Sequence, residues 1–120
     1  TINTHQTPSD IYVLNLKSNV LSHGKLERWT YSEVGGLDTS KFIEPELIKY
    51  PSFDGREIPA FVYAKESATP QPVIISIHGG PESQSRPRFS STFQLWINEL
   101  NAAVIAQNVR GSDGYCKEYL

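Results

Sequence analysis

The chain of 120 residues contains no methionine, and Thr1 stands where an initiator would be, so we expect a segment of a longer protein. A single cysteine, Cys116, excludes an internal disulfide and fits a reducing, cytoplasmic compartment. The three histidines, His5, His23 and His78, have no partners at zinc-ligand spacing, so no metal and no cofactor are expected. Charge of either sign is also scarce in excess: eleven Lys and Arg against thirteen Asp and Glu leave a formal charge of −2. That gives no basic footprint for nucleic acid or for an anionic membrane. No apolar run approaches the ~20 residues of a membrane span, and no charged-then-apolar leader opens the chain, so we read it as soluble. What is present is ordinary: 38% hydrophobic residues, or about 45% with the eight glycines, which excludes wholesale disorder. The length suits one small domain or parts of two, whereas complete enzymes of the large α/β classes need about 200 residues or more.

The pattern changes near residue 36. Asp10 to Leu16 alternates, with Ile11 and Val13 on one face and Tyr12 and Leu14 on the other, which predicts a strand. Lys17-Ser18-Asn19 reads as a turn, Ser22-His23-Gly24 as a break, and Leu26 to Tyr31 as a second, antiparallel strand. Two short strands cannot stand alone in water, so they read as the tail of an all-β unit. Gly35-Gly36 relaxes the backbone, and a connecting segment starts at Leu37. From Glu46 the pattern is strand, turn, strand: Glu46 to Tyr50, a tight reversal at Asp54-Gly55, and Ile58 to Tyr63. Pro59 has no N–H for a ladder, which pushes the start of the second strand toward an edge or an unpaired position. Pro72 to Ile77 is nearly continuous and β-branched, which predicts a strand covered on both faces of a parallel sheet. Phe89, Phe93, Trp96 and Leu100 then form one apolar stripe, with Ser90 or Ser91 as the helix N-cap. Ala102 to Val109 follows as the next buried strand, completing a β-α-β unit, and Tyr115 to Leu120 reads as the opening of another helix.

Two loops at strand ends carry the chemistry on offer. His78-Gly79-Gly80-Pro81 ends the first buried strand, where ligands of open α/β sheets gather and where glycines let a backbone N–H approach a reacting oxygen. Two readings stand: an oxyanion-binding loop and a strand-ending turn. The second loop, Asn108 to Tyr115, ends the next strand. Gly111 and Lys117 have phosphate-loop spacing, but Cys116 and Glu118 occupy the places of the second glycine and the magnesium-binding hydroxyl. Ser112 lies between a strand and an expected helix, but a nucleophile turn needs glycine where Arg110 stands. We therefore expect a structural corner in which Arg110 pairs with a carboxylate and Ser112 is a turn residue. No other serine has glycine at both −2 and +2. His78 reads as a packed histidine at a strand end, His5 and His23 as surface residues, and Arg86 and Arg88 as a solvated loop near the glycines.

Phe53-Asp54-Gly55-Arg56-Glu57-Ile58-Pro59-Ala60, His78-Gly79-Gly80-Pro81, and Asn108-Val109-Arg110-Gly111-Ser112 with Gly114-Tyr115 resemble, in that order and spacing, the prolyl oligopeptidase family of serine peptidases. The likeness is to its acylaminoacyl-peptidase and dipeptidyl-aminopeptidase branch. It covers roughly Gly35 to Leu120, and the earlier strands are similar to the last part of that family's β-propeller. The resemblance implies an α/β fold divided in two: residues 1–36 the end of a β-propeller, and residues 37–120 a linker and the first part of an α/β-hydrolase domain. It further implies a peptide as the partner, Gly80 as the backbone oxyanion donor, and Gly79 and Pro81 as shapers of that turn. One branch of the family has tyrosine where this chain has His78, and most members have glycine where it has Cys116. The family's serine, acid and catalytic histidine have no counterparts in this sequence, so the chain alone is expected to be inactive. An esterase of the same fold, or a binding protein that kept the fold without its catalytic residues, shares the glycine loop.

Overall fold

The computed structural model of the chain describes residues 1–16, 24–80 and 82–119. The turn expected at Lys17-Ser18-Asn19, the start of the break at Ser22-His23, the surface placing of His23, and Pro81 all lie outside the described residues.

Strands β1 (Tyr12–Leu14) and β2 (Leu26–Arg28) pair antiparallel, with Tyr12 opposite Arg28 and Leu14 opposite Leu26. Both are shorter than the alternation predicts. Beyond them the Trp29 N–H still reaches the Ile11 carbonyl at 2.8 Å, but the Ile11 N–H donates to the Thr30 hydroxyl at 2.8 Å, and Thr30 in turn donates to the Asp10 carboxylate at 2.9 Å. Asp10, only 1% exposed, also accepts from Arg28 and from the Ser32 N–H. Burial alone would raise the Asp10 carboxyl pKa. The hydrogen bonds from Thr30, Arg28 and Ser32 outweigh it and hold the group below its ordinary value.

The remaining strands form one mixed sheet in the order β3-β4-β6-β5. Strand β3 (Glu46–Pro51) turns into β4 (Glu57–Tyr63) through the expected Asp54-Gly55 reversal. Gly55 sits at φ 82°, its N–H reaching the Ser52 carbonyl at 2.9 Å, while Asp54 accepts from the Arg56 N–H. Strand β5 (Val73–Ile77), helix α1 (Ser91–Glu99) and β6 (Ala103–Gln107) form the expected β-α-β unit, with β5 and β6 parallel. Strand β4 runs antiparallel to both β3 and β6.

Helix α1 starts where the capping pattern places it: the Ser90 hydroxyl accepts from the Phe93 N–H. It ends at Leu100. Asn101 then takes a left-handed conformation, φ 49°, and the Ala102 N–H turns back to the Trp96 carbonyl. The apolar stripe differs from the expected one at both ends, because Phe89 precedes the cap and Leu100 is exposed. Phe93, Trp96 and the buried Ile97 instead press on Tyr63, Val104 and Ala106, which make the core. The Phe93 ring meets Tyr63 edge-on at 5.3 Å and stacks on Trp96 at 5.8 Å.

Two further expectations need correction. Strand β5 is not covered on both faces; it is the edge of the sheet in this chain, and Val73, Ile75 and Ile77 are 55%, 59% and 66% exposed. Where the sequence suggests the opening of a helix from Tyr115, the described residues show a single 3-10 turn, Lys117–Tyr119. Strand β4 is interior and not an edge; Pro59 takes the other alternative, lying just outside the ladder with β6, which begins at Ala60. Pro59 is paired with Lys49 on the β3 side, and its carbonyl accepts the Asn108 N–H at 2.9 Å. The reciprocal donor that Pro59 lacks is supplied by the Tyr119 hydroxyl, which donates to the Asn108 carbonyl at 2.5 Å.

Candidate active site

Strands β5 and β6 are parallel neighbours, so their carboxyl ends bring the two motif loops side by side. Gly80 holds φ 130°, and a Cβ there would lie 2.7 Å from the Glu82 nitrogen, so only glycine fits. Gly79 has open space around it, and among the described residues neither glycine's N–H is taken by another group. Both are exposed.

His78, half-buried, bridges the loops. Its Nδ1 lies 3.0 Å from the Gly79 carbonyl and its Nε2 2.8 Å from the Ser112 hydroxyl. Ser112 is 1% exposed and donates to the Val109 carbonyl at 2.6 Å. A hydroxyl so enclosed and so engaged does not meet a substrate; it ties one loop to the other. His78 is the packed histidine the sequence predicts, and Ser112 does more than turn the chain.

Asn108 is the residue that sequence reasoning missed. Fully buried, it accepts the Ser85 N–H at 2.6 Å through Oδ1 and donates from Nδ2 to the Ser85 carbonyl at 3.1 Å and to the Tyr115 hydroxyl at 2.7 Å. The one available signal was the Gln107-Asn108 amide pair at the end of an otherwise apolar strand. The Asp113 N–H and the Gln84 amide add further links between the loops, to the Ser83 and Asp113 carbonyls at 2.8 and 3.0 Å. Together these bonds fix the glycine loop against the end of β6.

Arg110 forms the predicted structural corner. It grips Asp54 with both terminal nitrogens, donates to Ser52 at 2.8 Å and stands over the Phe53 ring. The guanidinium, helped by the Arg56 N–H, lowers the Asp54 pKa to about 2. Cys116 has φ 69°, a left-handed position that suits the glycine carried there by the family the sequence resembles. His5 is half-buried in a shallow pocket beside Glu44 and Phe61 rather than on open surface. Arg86 and Arg88 are exposed and line a cavity of about 310 Å³ together with His78. Among the described residues no cluster of His, Cys, Asp or Glu could hold a metal ion, and no helix is long and apolar enough to cross a membrane.

No family model matches the chain. An uncharacterized peptidase, YuxL of Bacillus subtilis strain 168, is 33% identical over 79 residues, covering 63% of this chain and 12% of its own length. Among solved structures, a prolyl endopeptidase superposes on 98% of this chain with TM-score 0.77 and 23% identity. An acylaminoacyl peptidase of Pyrococcus horikoshii superposes on 98% with TM-score 0.72 and 25% identity. The chain spans only 16% and 18% of those two structures.

Proposed function

We infer that this relative of the prolyl oligopeptidase family of peptidases is part of a serine-type peptidase that hydrolyses oligopeptides through an acyl-enzyme. In this reading residues 1–36 close a β-propeller, and residues 37–120 begin an α/β-hydrolase domain whose nucleophile, acid and base lie elsewhere in the protein. The positive-φ pair Gly35-Gly36 at the proposed junction is in keeping with that division.

The observation that carries the reading is the loop after β5, where Gly80 holds a conformation open only to glycine and its N–H has no partner among the described residues. As the serine attacks a peptide carbonyl, negative charge develops on its oxygen. A backbone donor already fixed in place stabilises that charge without reorganising. Gly80 is the proposed donor and Gly79 gives the loop its shape. The buried Ser112 and Asn108 touch no substrate; with His78 they position the loop.

Gly80→Ala in the whole peptidase should lower kcat by about 10²-fold or more, with a smaller change in KM. A fluorophosphonate probe should label a serine of the whole protein and none in residues 1–120. Labelling at Ser112, or a Gly80→Ala enzyme of normal kcat, would overturn this assignment. Turnover of esters but not peptides would favour an esterase, and no turnover of either a binding protein.

A further inference from the structure

The cavity of about 310 Å³ beside the glycine loop has a composition that cleavage of a neutral amide bond does not require. Arg86 and Arg88 stand at its wall, together with His78 and the hydroxyls of Ser76 and Ser83, and no carboxylate lines it. Among the described residues neither guanidinium has an ion-pair or hydrogen-bond partner, whereas the chain's other three arginines are all engaged. Arg28 binds Asp10, Arg56 the Glu118 carbonyl, and Arg110 Asp54. Both guanidiniums, on either side of Pro87, line this one cavity, so an anion bound there gains attraction from two positive charges. Guanidinium groups fit the two oxygens of a carboxylate in particular, and the proline limits the backbone freedom lost when they close on it.

We propose that this cavity binds a carboxylate of the peptide substrate through Arg86 and Arg88, so that peptides carrying one are preferred. The identity of the ligand rests on the peptidase reading. The carboxylate comes either from the peptide's C-terminus or from an acidic side chain, and three peptides separate these sources: a neutral C-terminal amide, its free acid, and the amide with one Gln replaced by Glu.

In the whole wild-type enzyme, KM for one of the two acidic peptides should be about tenfold below that for the neutral amide, and raised salt should narrow the gap. In the Arg86→Gln/Arg88→Gln enzyme the ratio of the two KM values should fall to near one. Arg86→Lys/Arg88→Lys should retain part of the preference. Equal KM values in the wild type, or a preference that survives the double Gln substitution, overturn the proposal, while turnover of the neutral amide upholds the peptidase reading independently. If no peptide is cleaved, the peptidase reading fails, and calorimetric titration of the acid and amide peptides still decides the cavity. Tighter binding of an acid that is lost in the double Gln variant supports it, and equal binding refutes it.

Discussion

Arg110 stands where a nucleophile turn would need glycine, and its side chain folds back on Asp54 across the β3-β4 turn. Because the pair holds the Asp54 carboxyl near pKa 2 against an ordinary value of 3.8, the folded state prefers the ionised form. The contribution to stability is therefore complete above about pH 4 and fades as the pH falls toward about 2. Asp54→Asn should flatten the dependence of the denaturation midpoint on pH across that window, which denaturant titrations at several acidic pH values would reveal. A profile as steep as the wild type's would assign the acid sensitivity to other carboxylates. This pairing was legible in the sequence because the motif forbids a large side chain at a strained turn, leaving Arg110 a structural role. Asn108 was not legible. Its partners Ser85 and Tyr115 come from two loops that meet only when β5 and β6 lie side by side.

At the level of elements, periodicity located the six strands and α1 of the described residues but overran the bounds of several, and it misjudged what surrounds them. The hydrophobic content of β5 announces burial on both faces, yet within this chain it is an edge. Composition registers what a strand is built to pack against, not what is there to cover it. Strand β4 shows the opposite case. Pro59 argues for an edge or an unpaired position; the strand sits inside the sheet, its ladder with β6 starts only at Ala60, and the Tyr119 hydroxyl supplies the donor that Pro59 lacks. Tyr119→Phe keeps the buried ring and removes that donor, leaving the Asn108 carbonyl unpaired. We expect a loss of about 1–3 kcal/mol in unfolding free energy, measured by denaturant titration. An unchanged value would mean that water reaches the carbonyl.

Over the whole molecule, α1 covers one face of the four-stranded sheet and leaves the other largely bare. Ile48, Tyr50, Ile75, Ile105 and Gln107 line a shallow, mainly apolar groove on that second face, next to the open edge of β5. Such a surface, joined to unpaired strand donors and acceptors, favours self-association. The 120-residue chain made alone should sediment as concentration-dependent oligomers and bind an apolar dye such as anilinonaphthalene sulfonate. A monodisperse, dye-silent monomer would contradict this. The rung that joins Pro59, Asn108 and Tyr119 also carries a consequence for biosynthesis. The carbonyl that needs the donor, at Asn108, precedes Tyr119 by 11 residues, an interval of about 0.5–2 s at ordinary translation rates. Until Tyr119 has left the ribosome, the β4-β6 ladder is held at that end by one bond instead of two, so the nascent sheet stays loosest beside the strand ends that carry the glycine loop.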